Sequence, residues 1–159
     1  MSQYLPLLKI DGLWKSYEEV QAVRGLNLEV LRGEIIGLLG PNGSGKTTTM
    51  KAVLRLTRKD SGKIWVLGRD IDQASYEYKR WIGYVPEAMV LPEYLTVSEF
   101  LAFSARIHGV EESSFLDIAN EYLRAFRLDG RKNEYIGALS RGMKQKVAVV
   151  SALLHEPDL

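Results

Sequence analysis

The sequence has 159 residues, 46% of them hydrophobic and 26% charged, which suits a single globular domain with a sizeable core. Lysine and arginine total 21 against 20 acidic residues, which argues against a broad basic surface for nucleic acid. The lack of cysteine excludes disulfides and cysteine metal sites, and no apolar stretch is long enough to span a bilayer. The first residues show no signal-peptide pattern, so we expect a cytoplasmic protein.

The N-terminal part of the chain predicts strands. The stretch from Leu7 to Tyr17 predicts a first strand, and a polar turn leads to a second extended segment from Val20 to Val30. In the second segment apolar and polar residues alternate, as they do in a strand with one buried face. The stretch from Lys63 to Gly68 predicts a further strand.

Between these strands a five-residue apolar run, Ile35 to Leu39, leads into a glycine-rich loop. The run predicts a strand buried on both faces, as in a parallel sheet. The loop that follows, from Gly40 to Thr47, has the form Gly-x-x-x-x-Gly-Lys-Thr, which is the phosphate-binding pattern. Its glycines let consecutive backbone N–H groups surround an anion. The candidate ligands of the phosphates are Asn42, Gly43, Ser44, Gly45, Lys46, Thr47 and Thr48.

Each polar group of the loop suits one part of a nucleoside triphosphate. Lys46 carries a mobile positive charge that can reach the β- and γ-phosphates, and a helix that starts there points its positive end at them. The hydroxyl of Thr47 can ligate Mg²⁺. The alternative is a glycine-rich turn that merely joins a strand to a helix. The order of strand, full motif and helix favours ATP with Mg²⁺ as the ligand.

The middle of the chain predicts a change from strands to helices. Residues 74–80 predict a short helix, and residues 82–85 predict a short strand that ends at Pro86. Thr96 and Glu99 form a capping-box pattern at the start of a longer helix, which we expect to end at Gly109. A second helix is predicted to begin at Ser114 as its N-cap, because the apolar residues after it recur with helical spacing.

The last helix opens with the motif that decides among the many proteins with a phosphate loop. The stretch Leu139-Ser140-Arg141-Gly142-Met143 resembles the Leu-Ser-Gly-Gly-Gln signature of ATP-binding-cassette (ABC) ATPases. This resemblance implies an α/β fold: a P-loop NTPase core with an antiparallel β subdomain and an α-helical signature subdomain, with the C-terminal part of the core missing. The domains implied are an ATP-binding core over 1–87, a helical subdomain over 88–139, and a signature helix over 140–159.

The resemblance also implies roles for residues outside the phosphate loop. Ser140, Arg141 and Gly142 would form a second anion site at a helix N-terminus. In the family, this signature covers the γ-phosphate bound by a second subunit, so that ATP holds a head-to-tail dimer together. Tyr17 matches an aromatic residue that stacks on adenine in the family, and Trp14 is a nearby competitor for this role.

One segment departs from the family pattern. The stretch from Trp81 to Glu87 resembles the family's Q-loop, in which a glutamine senses Mg²⁺. Here Glu87 stands in place of that glutamine, which adds a negative charge near the phosphates. A carboxylate can ligate Mg²⁺ or accept a proton from water, so Glu87 joins Lys46 as a candidate catalytic residue and Thr47 as a candidate metal ligand.

The remaining catalytic groups of the family have no counterpart in these residues. The family continues beyond a segment like His155 to Leu159 with a strand that ends in Asp-Glu, and later with a switch histidine. We therefore expect an ABC-type ATPase in the full-length family member, whereas the 159-residue chain by itself is expected not to be catalytic.

The function implied is the ATP-binding subunit of an ABC transporter, which couples ATP binding and hydrolysis to transport through a separate transmembrane permease subunit. Such a subunit is cytoplasmic and peripheral to the inner face of the membrane, and nucleic acid is not expected as a partner. Two alternatives stay open at this point. One is a soluble ABC protein that acts on ribosomes or nucleic acid, and the other is a non-catalytic nucleotide-binding fragment.

Overall fold

The computed structural model describes residues 5–159. The first four residues, which belong to the segment searched for a signal peptide, lie outside the described range. The chain divides into two compact units, which are described separately. The sheet unit runs up to Lys79 and includes Asp158–Leu159, and the helical unit is Arg80–Pro157. No helix within residues 5–159 is long and apolar enough to cross a membrane. The domain boundaries expected at 87 and 139 stay predictions.

The sheet unit is built on four antiparallel strands in the spatial order β2-β1-β3-β4. The strands are β1 (Leu8–Tyr17), β2 (Val20–Val30), β3 (Ser61–Val66) and β4 (Arg69–Asp70), and helix α1 (Lys46–Val53) lies between β2 and β3 in the chain. The expected β subdomain and the three strands predicted for it are confirmed. The two-residue strand β4 was not predicted from the sequence.

Alternating apolar residues of the strands fill the core of the sheet unit. The fully buried side chains include Leu13, Ile64 and Val66. The C-terminal end of α1 is held by Tyr78, whose hydroxyl donates a hydrogen bond of 3.0 Å to the backbone carbonyl of Val53. Tyr78 lies in a 3₁₀ segment, Tyr76–Trp81, close to the short helix predicted there. Burial raises the pKa of Tyr78 to about 12, so the phenol keeps the proton that it donates.

The prediction of a strand before the phosphate loop is wrong. The apolar run Ile35 to Leu39 forms no strand and lies at the surface, where Ile35 is 99% and Leu39 is 94% exposed. A strand needs a hydrogen-bonded neighbour, and the sheet of the described residues pairs only β1 to β4. The apolar run therefore shows a preference for burial that no pairing within residues 5–159 satisfies.

The helical unit contains three α-helices and two short 3₁₀ segments within the described range. They are α2 (Val97–His108), α3 (Glu112–Ala125) and α4 (Arg141–Leu153), with Asp129–Arg131 and Ile136–Ala138 as the 3₁₀ segments. Their apolar faces form one buried cluster: Val97, Leu101, Ala105, Ala119, Leu123, Leu128, Ile136, Leu139, Val147, Val150 and Leu154. The periodic apolar pattern of α3 thus marks a core face, as predicted.

The capping box at the start of α2 is confirmed. The Thr96 hydroxyl accepts a hydrogen bond of 3.2 Å from the N–H of Glu99, and the Glu99 carboxylate accepts one of 2.8 Å from the N–H of Thr96. This backbone hydrogen bond, followed by that from the Thr96 hydroxyl, lowers the pKa of Glu99. The helix ends as predicted at Gly109, which adopts a left-handed conformation with φ of 75°.

Two local predictions in the helical unit are wrong. Helix α3 begins after Glu111 and not after Ser114, three residues earlier than predicted, so that Glu112 already lies in its first turn. An acidic residue in the first turn is favoured by the helix dipole, and this offsets the lack of a side-chain cap. The strand predicted over residues 82–85 is irregular chain with no strand partner within the described residues.

Two histidines stack in the helical unit. The rings of His108, at the end of α2, and His155, after α4, lie 4.1 Å apart between centroids at an angle of 13°. Nε2 of His155 lies 3.2 Å from the carbonyl oxygen of Ile82, to which it donates, whereas its Nδ1 is buried without a hydrogen-bond partner among the described residues. A proton on Nδ1 would be an unsatisfied buried donor. Burial, and then the neighbouring His108, lower the pKa of His155.

This arrangement predicts that acid destabilises the protein through His155. Because the folded state disfavours the protonated ring, the stabilisation by neutral His155 is present above pH 6.5 and is lost as the pH falls through the lowered pKa. We expect the free energy of unfolding, measured by urea titration, to fall more steeply between pH 7 and pH 5 in the wild type than in His155→Gln. Glutamine stays neutral and keeps a donor for Ile82, so equal slopes in the two proteins would contradict this prediction.

Candidate functional site

The glycine-rich loop ends where α1 begins. Gly45 is the N-cap of α1 with φ of 90°, and its carbonyl oxygen accepts hydrogen bonds of 2.8 Å from the N–H and 2.9 Å from the hydroxyl of Thr49. The ammonium of Lys46 donates to the carbonyl oxygens of Gly40 at 2.7 Å and Pro41 at 2.8 Å. Lys46 is thereby held over the loop that precedes it, with its charge next to the backbone that would surround a phosphate.

The loop is also fixed against strand β2. The Cα of Gly45 lies so close to the backbone of Ala22 that a Cβ atom there would overlap the Ala22 carbonyl oxygen and come within 3.1 Å of Val23 Cγ2. A cavity of about 490 Å³ lies at this place, and its lining combines the loop with β2: Gln21, Ala22, Val23, Arg24, Leu26, Leu38, Leu39, Gly43, Ser44, Gly45, Lys46 and Thr49. Backbone contact therefore determines where the loop lies on the sheet.

The donor set of this loop fits a phosphate chain with Mg²⁺. Asn42, Gly43 and Ser44 are exposed and precede the N-terminus of α1, whose free N–H groups and positive dipole end attract anions. Thr47 is exposed in the first turn of α1, so its hydroxyl is accessible to a metal ion, whereas Thr48 is half-buried. Phosphate oxygens, water and a threonine hydroxyl are the hard oxygen ligands that Mg²⁺ prefers.

Tyr17 lies at the end of β1 in a network of polar contacts. Its hydroxyl is 3.1 Å from the hydroxyl of Thr57, and the ammonium of Lys15 lies 4.9 Å from the centroid of its ring. Lys15 is paired with Asp60 at 3.1 Å, and Asp60 also accepts a hydrogen bond of 2.6 Å from the N–H of Ser16. This backbone hydrogen bond, followed by that from Lys15, lowers the pKa of Asp60. The ring of Tyr17 is thus oriented by its neighbours while 45% of the residue stays exposed.

Trp14 has a different environment. Its indole lies against the backbone of Gly25 in β2, where a Cβ atom would be only 3.3 Å from Nε1. This packing gives Trp14 a place in the pairing of β1 with β2. Trp14 and Tyr17 are nearly equally exposed, at 42% and 45%, so the choice of Tyr17 as the aromatic surface for a ligand stays a prediction.

The signature residues lie at the N-terminus of α4 in the helical unit. Ser140 is the N-cap, and its hydroxyl accepts a hydrogen bond of 3.3 Å from the N–H of Met143. Arg141 and Gly142 are exposed in the first turn. Glu87 is exposed in a bend of the same unit. The structure thus groups Tyr17 and the phosphate loop in the sheet unit, and Ser140 to Gly142 with Glu87 in the helical unit.

Sequence reasoning missed the residues that orient Tyr17. The contact of Lys15 with Tyr17 could have been predicted, because residues two apart on a strand lie on the same face. No sequence pattern indicated Thr57 and Asp60, since they come from the connection between α1 and β3 and contact β1 only in the folded chain.

Comparison with solved structures identifies the fold. The structure of an ATP-binding subunit of an ABC transporter matches with a TM-score of 0.87 at 36% identity, over 95% of this chain and 63% of that one. CbiO1 from Clostridium perfringens, described as part of the ABC transporter complex cbiONQ, matches with a TM-score of 0.81 at 26% identity, over 96% and 62% of the two chains. The α/β fold is therefore that of ABC ATP-binding subunits, present here in part.

Sequence comparison gives the same family. The family described as ABC transporter matches residues 23–159, so the chain belongs to the ABC transporter family. The Nod factor export ATP-binding protein I of Ralstonia nicotianae is 35% identical over 97% of this chain and 48% of its own length. The linearmycin resistance ATP-binding protein LnrL of Bacillus subtilis is 35% identical over 96% and 49%. The chain spans about half the length of these relatives.

The contact of the loop with β2 predicts different effects of alanine at two glycines of similar conformation. Gly43 and Gly45 have φ of 83° and 90°, but only a Cβ at Gly45 would meet another residue. Gly43→Ala should cost about 1–2 kcal/mol of stability from the left-handed backbone alone. Gly45→Ala should cost a further ~1–3 kcal/mol, because the loop must move away from Ala22. Urea unfolding measures both, and equal losses would show that the contact does not fix the loop.

Proposed function

We propose that this chain is the nucleotide-binding part of the ATP-binding subunit of an ABC transporter. The observation that carries the proposal is the loop at the start of α1, where left-handed glycines, the ammonium of Lys46 and the first turn of the helix lie together. Family membership supports ATP as the nucleotide, because the matched relatives are named ATP-binding proteins.

Within the loop we assign each group a part of the ligand. The backbone N–H groups of residues 43–48 and the side chain of Asn42 surround the phosphates, and the charge of Lys46 lies against the β- and γ-phosphates. The Thr47 hydroxyl would ligate Mg²⁺, which would supply positive charge to offset that of the phosphates. The base stacks on the exposed ring of Tyr17, which Lys15 and Thr57 orient.

The first turn of α4 is proposed as a second anion site. Ser140 caps the helix, and Arg141 and Gly142 are exposed beside it, so a hydroxyl, a guanidinium and backbone N–H groups are available to a γ-phosphate. We propose that these groups act in a head-to-tail dimer, in which they meet ATP held by the phosphate loop of a second copy.

The membrane partner is proposed from the relatives. Their names describe export and resistance, and CbiO1 is described as part of a transporter complex. We propose a separate transmembrane permease subunit as the partner, which places the protein in the cytoplasm at the inner face of the membrane.

ATP hydrolysis is proposed for the whole subunit, as an ABC-type ATPase. Residues 1–159 alone are proposed to bind ATP without steady turnover. The support is chemical: attack on the γ-phosphate needs an oriented water and a base. Glu87 is the candidate base among these residues, and it lies in an exposed bend rather than in a helix or strand that would fix its carboxylate.

The assignment of Lys46 predicts weaker ATP binding in Lys46→Ala. Loss of a charge-assisted contact worth roughly 1.5–3 kcal/mol should lower the affinity about ten- to hundredfold. Isothermal titration with Mg-ATP measures it, and Lys51→Ala, which removes an exposed lysine from the last turn of the same helix, is the matched control. Phosphate release by the wild-type chain should stay at the level of Lys46→Ala. An unchanged affinity in Lys46→Ala would refute the phosphate site.

The assignment of Tyr17 predicts that stacking, and not the hydroxyl, supplies the contact with the base. Tyr17→Trp should keep ATP affinity, and Tyr17→Ala should lower it about three- to tenfold, since aromatic stacking contributes roughly 0.5–1.5 kcal/mol. Discrimination between ATP and GTP should be weak, because a ring face reads no hydrogen-bond pattern. If Trp14→Ala weakens binding and Tyr17→Ala does not, the platform is Trp14.

A further inference from the structure

A second cavity in the sheet unit is polar and positively charged. It has a volume of about 540 Å³ and lies beside the C-terminal end of α1, with this lining: Ala52, Arg55, Thr57, Arg58, Lys59, Ile71, Asp72 and Tyr76. Its residues are distinct from those that line the cavity at the phosphate loop. A cavity of this size can hold a small molecule.

The charges around this cavity are unbalanced. Asp72, the one acid of the lining, is paired with Lys59 at 2.7 Å, and Lys59 also donates to the carbonyl oxygen of Gly62. Within residues 5–159, Arg55 and Arg58 form no ion pair. A third cation, Lys79, lies 4.9 Å from the centroid of the Tyr76 ring. An excess of positive charge therefore surrounds the cavity.

Arg55 is held in place at a backbone position that disfavours it. It follows the C-cap of α1 with φ of 51°, and the N–H groups of Arg55 and Leu56 close the helix onto Ala52 and Lys51. Glycine is the usual residue at such a position, because any other side chain is strained there. The Arg55 guanidinium lies 4.4 Å from the centroid of the Tyr76 ring and donates a hydrogen bond of 3.1 Å to Ala74.

Arg55 and Lys79 thus both lie within 5 Å of the centroid of the Tyr76 ring, at 4.4 Å and 4.9 Å. Burial, and then the charge of Arg55, lower the pKa of Lys79. A bound anion would reduce this repulsion. A guanidinium presents parallel N–H donors that match two oxygens of a phosphate, and the excess of several positive charges favours a doubly charged anion over a single carboxylate.

From this geometry we propose that the cavity bordered by Arg55, Arg58 and Tyr76 is a binding site for a phosphate monoester group. Arg55 binds two phosphate oxygens, Arg58 binds from the solvent side, and Lys79 adds charge next to Tyr76. The group is carried either by a small phosphorylated metabolite or by the headgroup of an acidic phospholipid. The proposal does not rest on the proposed function, since no residue of the phosphate loop takes part.

The test follows binding separately at each site of the chain. Glycerol 3-phosphate is titrated into ¹⁵N-labelled chain, and vesicles of phosphatidylcholine with or without phosphatidic acid are the second arm. We expect saturable shifts of the backbone amides of residues 55–59 and 72–76 in at least one arm, which also identifies the source of the phosphate. Shifts confined to residues 43–48 in both arms would overturn the proposal.

Variants separate recognition from folding and from general charge. Arg55→Gly relieves the backbone strain and removes the guanidinium, and Arg58→Ala changes an exposed side chain, so the chain stays folded in at least the second variant. Each should lower the affinity at this site at least fivefold and leave ATP affinity unchanged. Lys63→Ala removes one exposed charge of β3 outside the cavity and should have no effect. Losses equal to that of Lys63→Ala would overturn the site.

Discussion

The contact between Gly45 and the Ala22 carbonyl is the constraint on which the arrangement of the sheet unit depends. Gly45 is the N-cap of α1, so this backbone contact fixes where the helix starts and therefore where Lys46 and Thr47 lie. At the other end, the Tyr78 hydroxyl holds the carbonyl oxygen of Val53. A helix of only two turns is marginal by itself, and here contacts at both ends hold it in register with the sheet.

The connection between α1 and β3 extends this order to the other side of the unit. Thr57 contacts the hydroxyl of Tyr17, Lys59 pairs with Asp72, and Asp60 binds both the ammonium of Lys15 and the N–H of Ser16. Because these residues follow the C-terminal end of α1 in the chain, the position of the helix also determines the position of the Tyr17 ring at the end of β1. The phosphate loop and the ring of Tyr17 are therefore linked through α1 and the short stretch of residues 57–60 that follows it.

Sequence patterns predicted the structure well where the interacting partners are close in the chain. The capping box of Thr96 and Glu99, the helix start at Ser140 and the glycine-rich loop before Lys46 each involve groups within about one helical turn or loop, so the residues themselves specify the geometry. Ser114 failed as a cap because several polar residues in a row, from Glu111 to Ser114, offered equivalent starting points, and the helix begins after Glu111.

Prediction failed where the outcome depends on distant partners. Residues 55–59 have the composition of a solvated turn, and only the fold brings Arg55 over Tyr76 and Asp60 to β1. The run from Ile35 to Leu39 shows the converse. Full burial of one such side chain contributes about 1.5–3 kcal/mol, so the pattern correctly reports a preference for burial. The pattern does not specify which strand would pair with the run. Ile35 and Leu39 are exposed because no strand within residues 5–159 pairs with this stretch. A hydrophobic pattern therefore predicts a strand only together with its neighbour in a sheet.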